Sequence, residues 1–174
     1  MCVYPGLSAG ECSRLIVVDV QKQFISENTE HILSGIEAII PKFEKVVLSQ
    51  IEHDPDQYVF ELKKWAPSPV GSEGHALALN LDSASTERIH ITRKRFFSAL
   101  TDDAQAFLGA EKGSSIYLCG MDTDLCVLQT GVDLMRQGFR PVILSKLCAS
   151  YGGEALHRHA LIQCKRFFGR DQVI

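Results

Sequence analysis

The segment RLIVVDV, Arg14 to Val20, is an unbroken run of aliphatic and β-branched side chains that ends in a carboxylate. A strand with one wet face alternates polar and apolar residues, so a continuous apolar run reads as a strand covered on both faces, the situation of a parallel sheet. Four further segments read as strands: KVVLSQIE (Lys45 to Glu52), RIHITR (Arg88 to Arg93), SSIYLCG (Ser114 to Gly120) and PVILSKL (Pro141 to Leu147). Helical patterns lie between them. Thr29 to Phe43 places Ile32, Ile36, Ile39 and Ile40 at helical spacing, with Pro41 weakening the last turn. TDDAQAFLG has an N-cap in Thr101, acids in its first turn and a terminal Gly109. Further helices are expected from about Asp124 to Gln137, stopped by Gly138, and from about Glu154 to Phe167. The closing DQVI reads as the start of a short sixth strand. Residues 53–82 read as mostly irregular, with a short helix around ELKKW, and suit a loop that covers a substrate. Strand and helix in repeated alternation predict a doubly wound α/β domain: a mainly parallel sheet with helices on both faces.

The chain has 174 residues, 45% hydrophobic and 22% charged, which is the size and composition of one domain spanning residues 1–174. Its formal net charge of -3 supplies no field for nucleic acid or an anionic membrane, and the one dense basic run is Arg93 to Arg95. No apolar stretch reaches the roughly 18 residues that a bilayer span needs, and the first residues lack a signal-peptide pattern. The expectation is a soluble cytoplasmic or otherwise intracellular protein acting on a small-molecule substrate, without nucleic-acid or membrane partners. The six cysteines are irregularly spaced with no C-x-x-C pair, which disfavours a disulfide framework or a zinc site.

In doubly wound sheets ligands bind beyond the carboxyl ends of the strands. That rule gathers Asp19, the Arg93/Lys94 region and the turn from Gly120 to Cys126 on one rim. A cysteine in a first helical turn faces unpaired backbone N–H groups and the positive end of the helix dipole, and a nearby ammonium adds to that field. The expected chemistry is an activated thiol, with Asp19 taking its proton and Lys94 keeping the carboxylate ionised. Taken singly, each has a plainer reading: a strand-end Asp as a cap or ion-pair partner, Lys94 as a solvated lysine, Cys126 as core.

The three segments LIVVDVQKQF, TRKRFFSAL and CGMDTDLCVLQTGVDLMRQGF together resemble the isochorismatase-like cysteine hydrolases, the superfamily that includes nicotinamidases and other small-molecule amidases. The resemblance spans nearly the whole chain, and Gly120, Thr123, Asp124, Cys126 and Val127 fit its third motif. It implies a triad of Asp19, Lys94 and Cys126, an acyl-enzyme thioester, and a cis peptide between Met121 and Asp122 that aims backbone N–H groups, including that of Cys126, at the substrate carbonyl. It also implies a homo-oligomer and no cofactor. The Asp-x-His-x-x-x-His metal pattern of nicotinamidases is absent: His53, Asp54 and Asp56 do not reproduce its spacing, so no metal is expected. The catalytic cysteine argues against the isochorismate-cleaving reaction. Lys146 and Leu147 stand where many relatives have Asp-Ala. Phe24, Trp65 and Phe97 are candidate pocket residues, and Gln21 a candidate for orienting Asp19 or touching substrate. His157 and His159 read as surface or packing residues, Cys119 as inert, and Cys148 as the one other thiol near the site. Two other classes compete with the hydrolase: a silent binding or scaffold member of the same fold, and a thiol redox protein.

Overall fold

The computed structural model describes residues 14–52, 62, 68–82 and 85–174. Five parallel strands form one sheet: β1 (Arg14–Val18), β2 (Lys45–Ile51), β3 (Ile89–Lys94), β4 (Ser115–Met121) and β5 (Arg140–Ala149), in the order β3-β2-β1-β4-β5. The apolar run that ends at Val20 is explained by its place. β1 is the central strand, and Leu15, Ile16, Val17 and Val18 are all buried. From β1 the chain steps outward through β2 to β3, then returns to the other side of β1 for β4 and β5. Right-handed crossovers in opposite directions put helices on both faces and open a crevice between β1 and β4, where the direction reverses.

Four helices with described bounds flank the sheet: α1 (Leu33–Ile39), α2 (Asp102–Leu108), α3 (Leu128–Arg136) and α4 (Glu154–Phe168). Three expectations need correction. The helix expected over 29–43 is an α-helix only in its middle, flanked by 3-10 turns at Glu30–Ile32 and at Ile40–Lys42, where Pro41 withholds an N–H. The expected sixth strand is not formed. Arg170–Gln172 is a 3-10 turn, and Val173 makes a single bridge to Ile143. β5 runs past Leu147 to Ala149 because its register shifts: Leu118 faces Ile143, but Gly120 faces Cys148. The extra residues bulge out, Ser145 donates its N–H to the Ile174 carbonyl at 2.7 Å, and Lys146 is exposed on the bulge rather than at the strand end. α2 begins as expected, with the Thr101 hydroxyl accepting the Ala104 N–H and Gly109 in the left-handed region at φ 54°.

Gly120 sits where β4 presses against β1. Its φ is 108°, and a Cβ there would overlap the Val18 carbonyl, so only glycine permits the approach that sets the end of β4 beside Asp19. Among the described residues no helix is long and apolar enough to cross a membrane.

Candidate active site

Asp19 follows the central strand in the left-handed region, at φ 48°, a conformation that aspartate tolerates better than most residues. Ser49 of β2 fixes it from the side. The serine hydroxyl accepts the Asp19 N–H at 3.1 Å and donates to Asp19 Oδ1 at 2.7 Å. Asp19 Oδ2 lies 2.7 Å from Lys94 Nζ, and both side chains are 2% exposed. Among the described residues no donor meets hydrogen-bond geometry at Oδ2, so its short contact with lysine is an ion pair.

Lys94 ends β3 and its ammonium is fully used. It donates to the Phe96 carbonyl at 2.9 Å, the Phe97 carbonyl at 2.8 Å and Cys126 Sγ at 3.3 Å. Burial by itself would lower the lysine pKa, but the Asp19 carboxylate and the cysteine sulfur raise it above its ordinary value, so the site holds an ammonium. Three residues from three separate elements thus meet around one buried positive charge.

Cys126 lies in a five-residue π-helical turn, Thr123–Val127, that leads into α3. The Met121–Asp122 peptide just before the turn is cis. Val127 N–H donates to the Asp122 carbonyl at 3.0 Å, closing the wide turn, and the Thr130 hydroxyl donates to the Cys126 carbonyl at 2.6 Å. Thr130 in turn accepts the Ala99 N–H at 2.9 Å, which ties the start of the Cys126 helix to the loop whose carbonyls hold Lys94. The helix start and Lys94, which favour thiolate, meet an opposing effect in the enclosed site. Cys126 is 6% exposed, and burial pushes its thiol up from the ordinary value; Lys94 pulls the other way and Asp19 adds to the rise. Enclosure thus favours the thiol, whose proton must leave before the sulfur can act as a nucleophile.

The other sequence candidates divide. Phe24 and Phe97 both pack on Ile51, so these two aromatic residues come together at the end of β2. Trp65 and the residues His53, Asp54 and Asp56 lie outside the described residues. Gln21 is fully buried, and its amide is committed to backbone: Oε1 accepts the Ile51 N–H at 2.8 Å, and Nε2 donates to the His75 carbonyl at 3.1 Å and the Ile51 carbonyl at 3.3 Å. Its side chain clamps the end of β2 to the segment around His75 and makes no hydrogen bond to the Asp19 carboxylate, while its backbone N–H donates to the Asp19 carbonyl at 2.8 Å. Cys119 and Cys148 are both buried with their thiols pushed up by burial, and Cys148 Sγ points at the Leu118 carbonyl from 4.0 Å. Among the described residues no group of three His, Cys, Asp or Glu could hold a metal ion, and no chemical step here is routed through one.

Two contributors escaped the sequence reading. Ser49 had one faint signal, a polar residue inside an apolar strand. His157 had none beyond its type, yet its Nδ1 lies 2.9 Å from the Thr123 hydroxyl.

Comparison with known proteins bears on the family and the fold. The family model described as the Isochorismatase domain matches residues 13–170. The chain is 30% identical over 166 residues to an isochorismatase family protein, PncA, of Bacillus subtilis (strain 168), covering 89% of this chain and 82% of that protein. The crystal structure of the nicotinamidase PncA from Bacillus subtilis superposes with a TM-score of 0.74 at 27% identity, over 93% of this chain and 98% of that one. N-carbamoylsarcosine amidase from Thermoplasma acidophilum shares the fold, with a TM-score of 0.72 at 19% identity over 90% of this chain and 92% of its own. With the family model matching residues 13–170 and a relative 30% identical over most of both chains, this chain belongs to the isochorismatase family.

Proposed function

We propose that this chain is an amidase-like hydrolase that cleaves the C–N bond of a small amide, imide or ureido compound through a thioester at Cys126. The observation that carries the reading is the buried ammonium of Lys94, 2.7 Å from Asp19 and 3.3 Å from Cys126. A thiol, a carboxylate with an unaligned oxygen and a fixed cation are the parts that acyl transfer needs.

The steps follow from those parts. Asp19 Oδ2 takes the Cys126 thiol proton as sulfur bonds to the substrate carbonyl carbon, and the carbonyl electron pair moves onto oxygen. Lys94 stabilises the sulfur as it becomes anionic, while backbone N–H groups of the turn at Met121, Asp122 and Cys126 receive the oxyanion. Collapse of the tetrahedral intermediate breaks the C–N bond, and Asp19 returns the proton to the departing nitrogen, which leaves as ammonia or an amine. Water then attacks the thioester while Asp19 removes its proton. The C–S bond breaks, sulfur recovers the proton, and the acid departs. A resting thiol suits this cycle, because the proton is carried by Asp19 only while the bonds change.

Phe24 and Phe97, packed on Ile51 at the end of β2, are the aromatic residues this reading places in the small-molecule pocket. The relatives named for nicotinamide and N-carbamoylsarcosine point to compact amide and ureido substrates. The test is a panel of such compounds assayed by ammonia release, with Cys126→Ser as the blank. Release that depends on Cys126 supports the reading. A folded protein that releases no ammonia from any compound favours a binding role for the same fold, and stoichiometric consumption of peroxide with sulfenate formation favours a redox protein.

A further inference from the structure

A π-helical turn is a local departure from the α-helix that persists where surrounding contacts hold it. In this chain the turn Thr123–Val127 carries Cys126, and its entry is gripped by the connection between β5 and α4. Tyr151 N–H donates to Asp122 Oδ1 at 2.6 Å, and one turn into α4 His157 Nδ1 sits 2.9 Å from Thr123 Oγ1. Thr123 is fully buried, and the imidazole is the hydrogen-bond partner of its hydroxyl among the described residues. His157 is itself half-buried. Burial lowers its pKa from the ordinary value, with Glu154 and Asp124 opposing and His31 adding to the effect, so the bond at neutral pH is between a hydroxyl and a neutral imidazole.

From this geometry we infer that His157 is a positioning residue for the nucleophile, holding the wide turn through Thr123 so that Cys126 Sγ stays within reach of Lys94 and Asp19. Without the imidazole, a hydroxyl with no exposure to water loses its partner, and the turn can regain that hydrogen bond only by changing shape. A change of register from the π to the α pattern swings every side chain of the turn about the helix axis, that of Cys126 included. His157 never touches substrate. Its effect travels along one hydrogen bond and three residues of backbone.

The inference deepens the proposed function and rests on Cys126 being the nucleophile, but its test has an arm that needs no substrate. The rate at which iodoacetamide alkylates Cys126, followed by peptide mass spectrometry, reports how Lys94 and Asp19 act on the thiol. Turnover on whichever amide the panel identifies reports catalysis. His157→Phe fills the space without accepting a hydrogen bond, His157→Asn keeps a polar atom near the position of Nδ1, and Thr123→Val removes the hydroxyl. The expected result is that His157→Phe and Thr123→Val each slow alkylation and kcat by about fivefold to tenfold, the order of one lost buried hydrogen bond, with KM nearly unchanged. His157→Asn recovers most of the loss, and combining His157→Phe with Thr123→Val adds little. Circular dichroism and Tm accompany each variant, and Thr123→Val carries the test where a His157 variant does not fold. Alkylation at the wild-type rate in folded His157→Phe or Thr123→Val overturns the inference, as does His157→Asn behaving like His157→Phe. Slowed alkylation in a protein that hydrolyses no amide keeps the positioning role and refutes the hydrolase reading instead.

Discussion

Replacing Lys94 by Met removes a buried charge while keeping most of the side-chain volume, and its consequence can be worked from the geometry. Unit charges 2.7 Å apart attract by about 6 kcal/mol at an effective dielectric of about 20. Against that stands the cost of taking two ions out of water, which amounts to several kcal/mol for each. The intact pair therefore contributes little net stability, but breaking it leaves the Asp19 carboxylate buried without its cation, with the Ser49 hydroxyl still donating to Oδ1. Removal of one partner from a buried pair costs about 3–5 kcal/mol. Lys94→Met also strips a donor from the Phe96 and Phe97 carbonyls. For a chain of this length the expected fall in Tm is about 6–20 °C, at about 2–4 °C per kcal/mol. Asp19→Asn should cost a similar amount, since it leaves the ammonium unpaired. The double variant, with neither charge, should be closer to wild type than the sum of the two, with a coupling of at least about 2 kcal/mol. Urea unfolding followed by circular dichroism, with m-values compared across the four proteins, measures all of this. None of the three variants should turn over substrate at more than about a hundredth of the wild-type rate. Additive losses in the double variant, or a Lys94→Met protein within about 1 kcal/mol of wild type, would refute the picture of one tightly coupled buried pair.

Other outcomes follow from single residues. Asp122 is pushed up to about 6 from 3.8, chiefly by burial, with Asp124 and Asp19 adding and the Tyr151 N–H opposing. An acid held above its unfolded value destabilises the fold once ionised, so its contribution to stability falls as pH rises from about 4 to about 6. Asp122→Asn should flatten that part of the pH–stability curve, and an unchanged slope in urea titrations would count against the assignment. Gly120→Ala forces a Cβ into the Val18 backbone at positive φ, so a loss of about 3 kcal/mol or more, or failure to accumulate soluble protein, is expected. Gly71→Ala, at φ 87° with open space around it, should cost only about 1 kcal/mol; equal losses at the two glycines would show that crowding at Gly120 is not the cause. Thr130→Val removes the donor to the Cys126 carbonyl and the acceptor of the Ala99 N–H, for an expected loss of about 2–4 kcal/mol in urea unfolding and a lower kcat. Unaltered stability would mean that the link between the nucleophile helix and the Lys94 loop is not a strained or essential one.

The amino-acid order determined the architecture because the information for it is local. A strand buried on both faces must be apolar throughout, and a helix must repeat its apolar residues every three or four positions. Runs such as RLIVVDV and the isoleucines from 32 to 40 therefore announce their elements without reference to the rest of the chain. A rule of topology then gathers Asp19, Lys94 and Cys126 on one rim, although the end of β5 was not legible because its register shift depends on β4. What the tertiary structure alone decided depends on neighbours far away in the chain or on the exclusion of water. Ser49 reaches Asp19 across 30 residues, and His157 reaches Thr123 across 34; no periodicity encodes either. The carbonyls that satisfy Lys94 belong to Phe96 and Phe97, whose side chains are the only part a sequence displays. Gln21 reads as a polar group beside a catalytic carboxylate, yet strand pairing spends its amide on the backbone of β2 and the His75 segment. The balance of effects on the Cys126 thiol is also set by enclosure. A helix start and a nearby lysine can be read from sequence and favour thiolate, but the loss of hydration that outweighs them exists only once the site is enclosed.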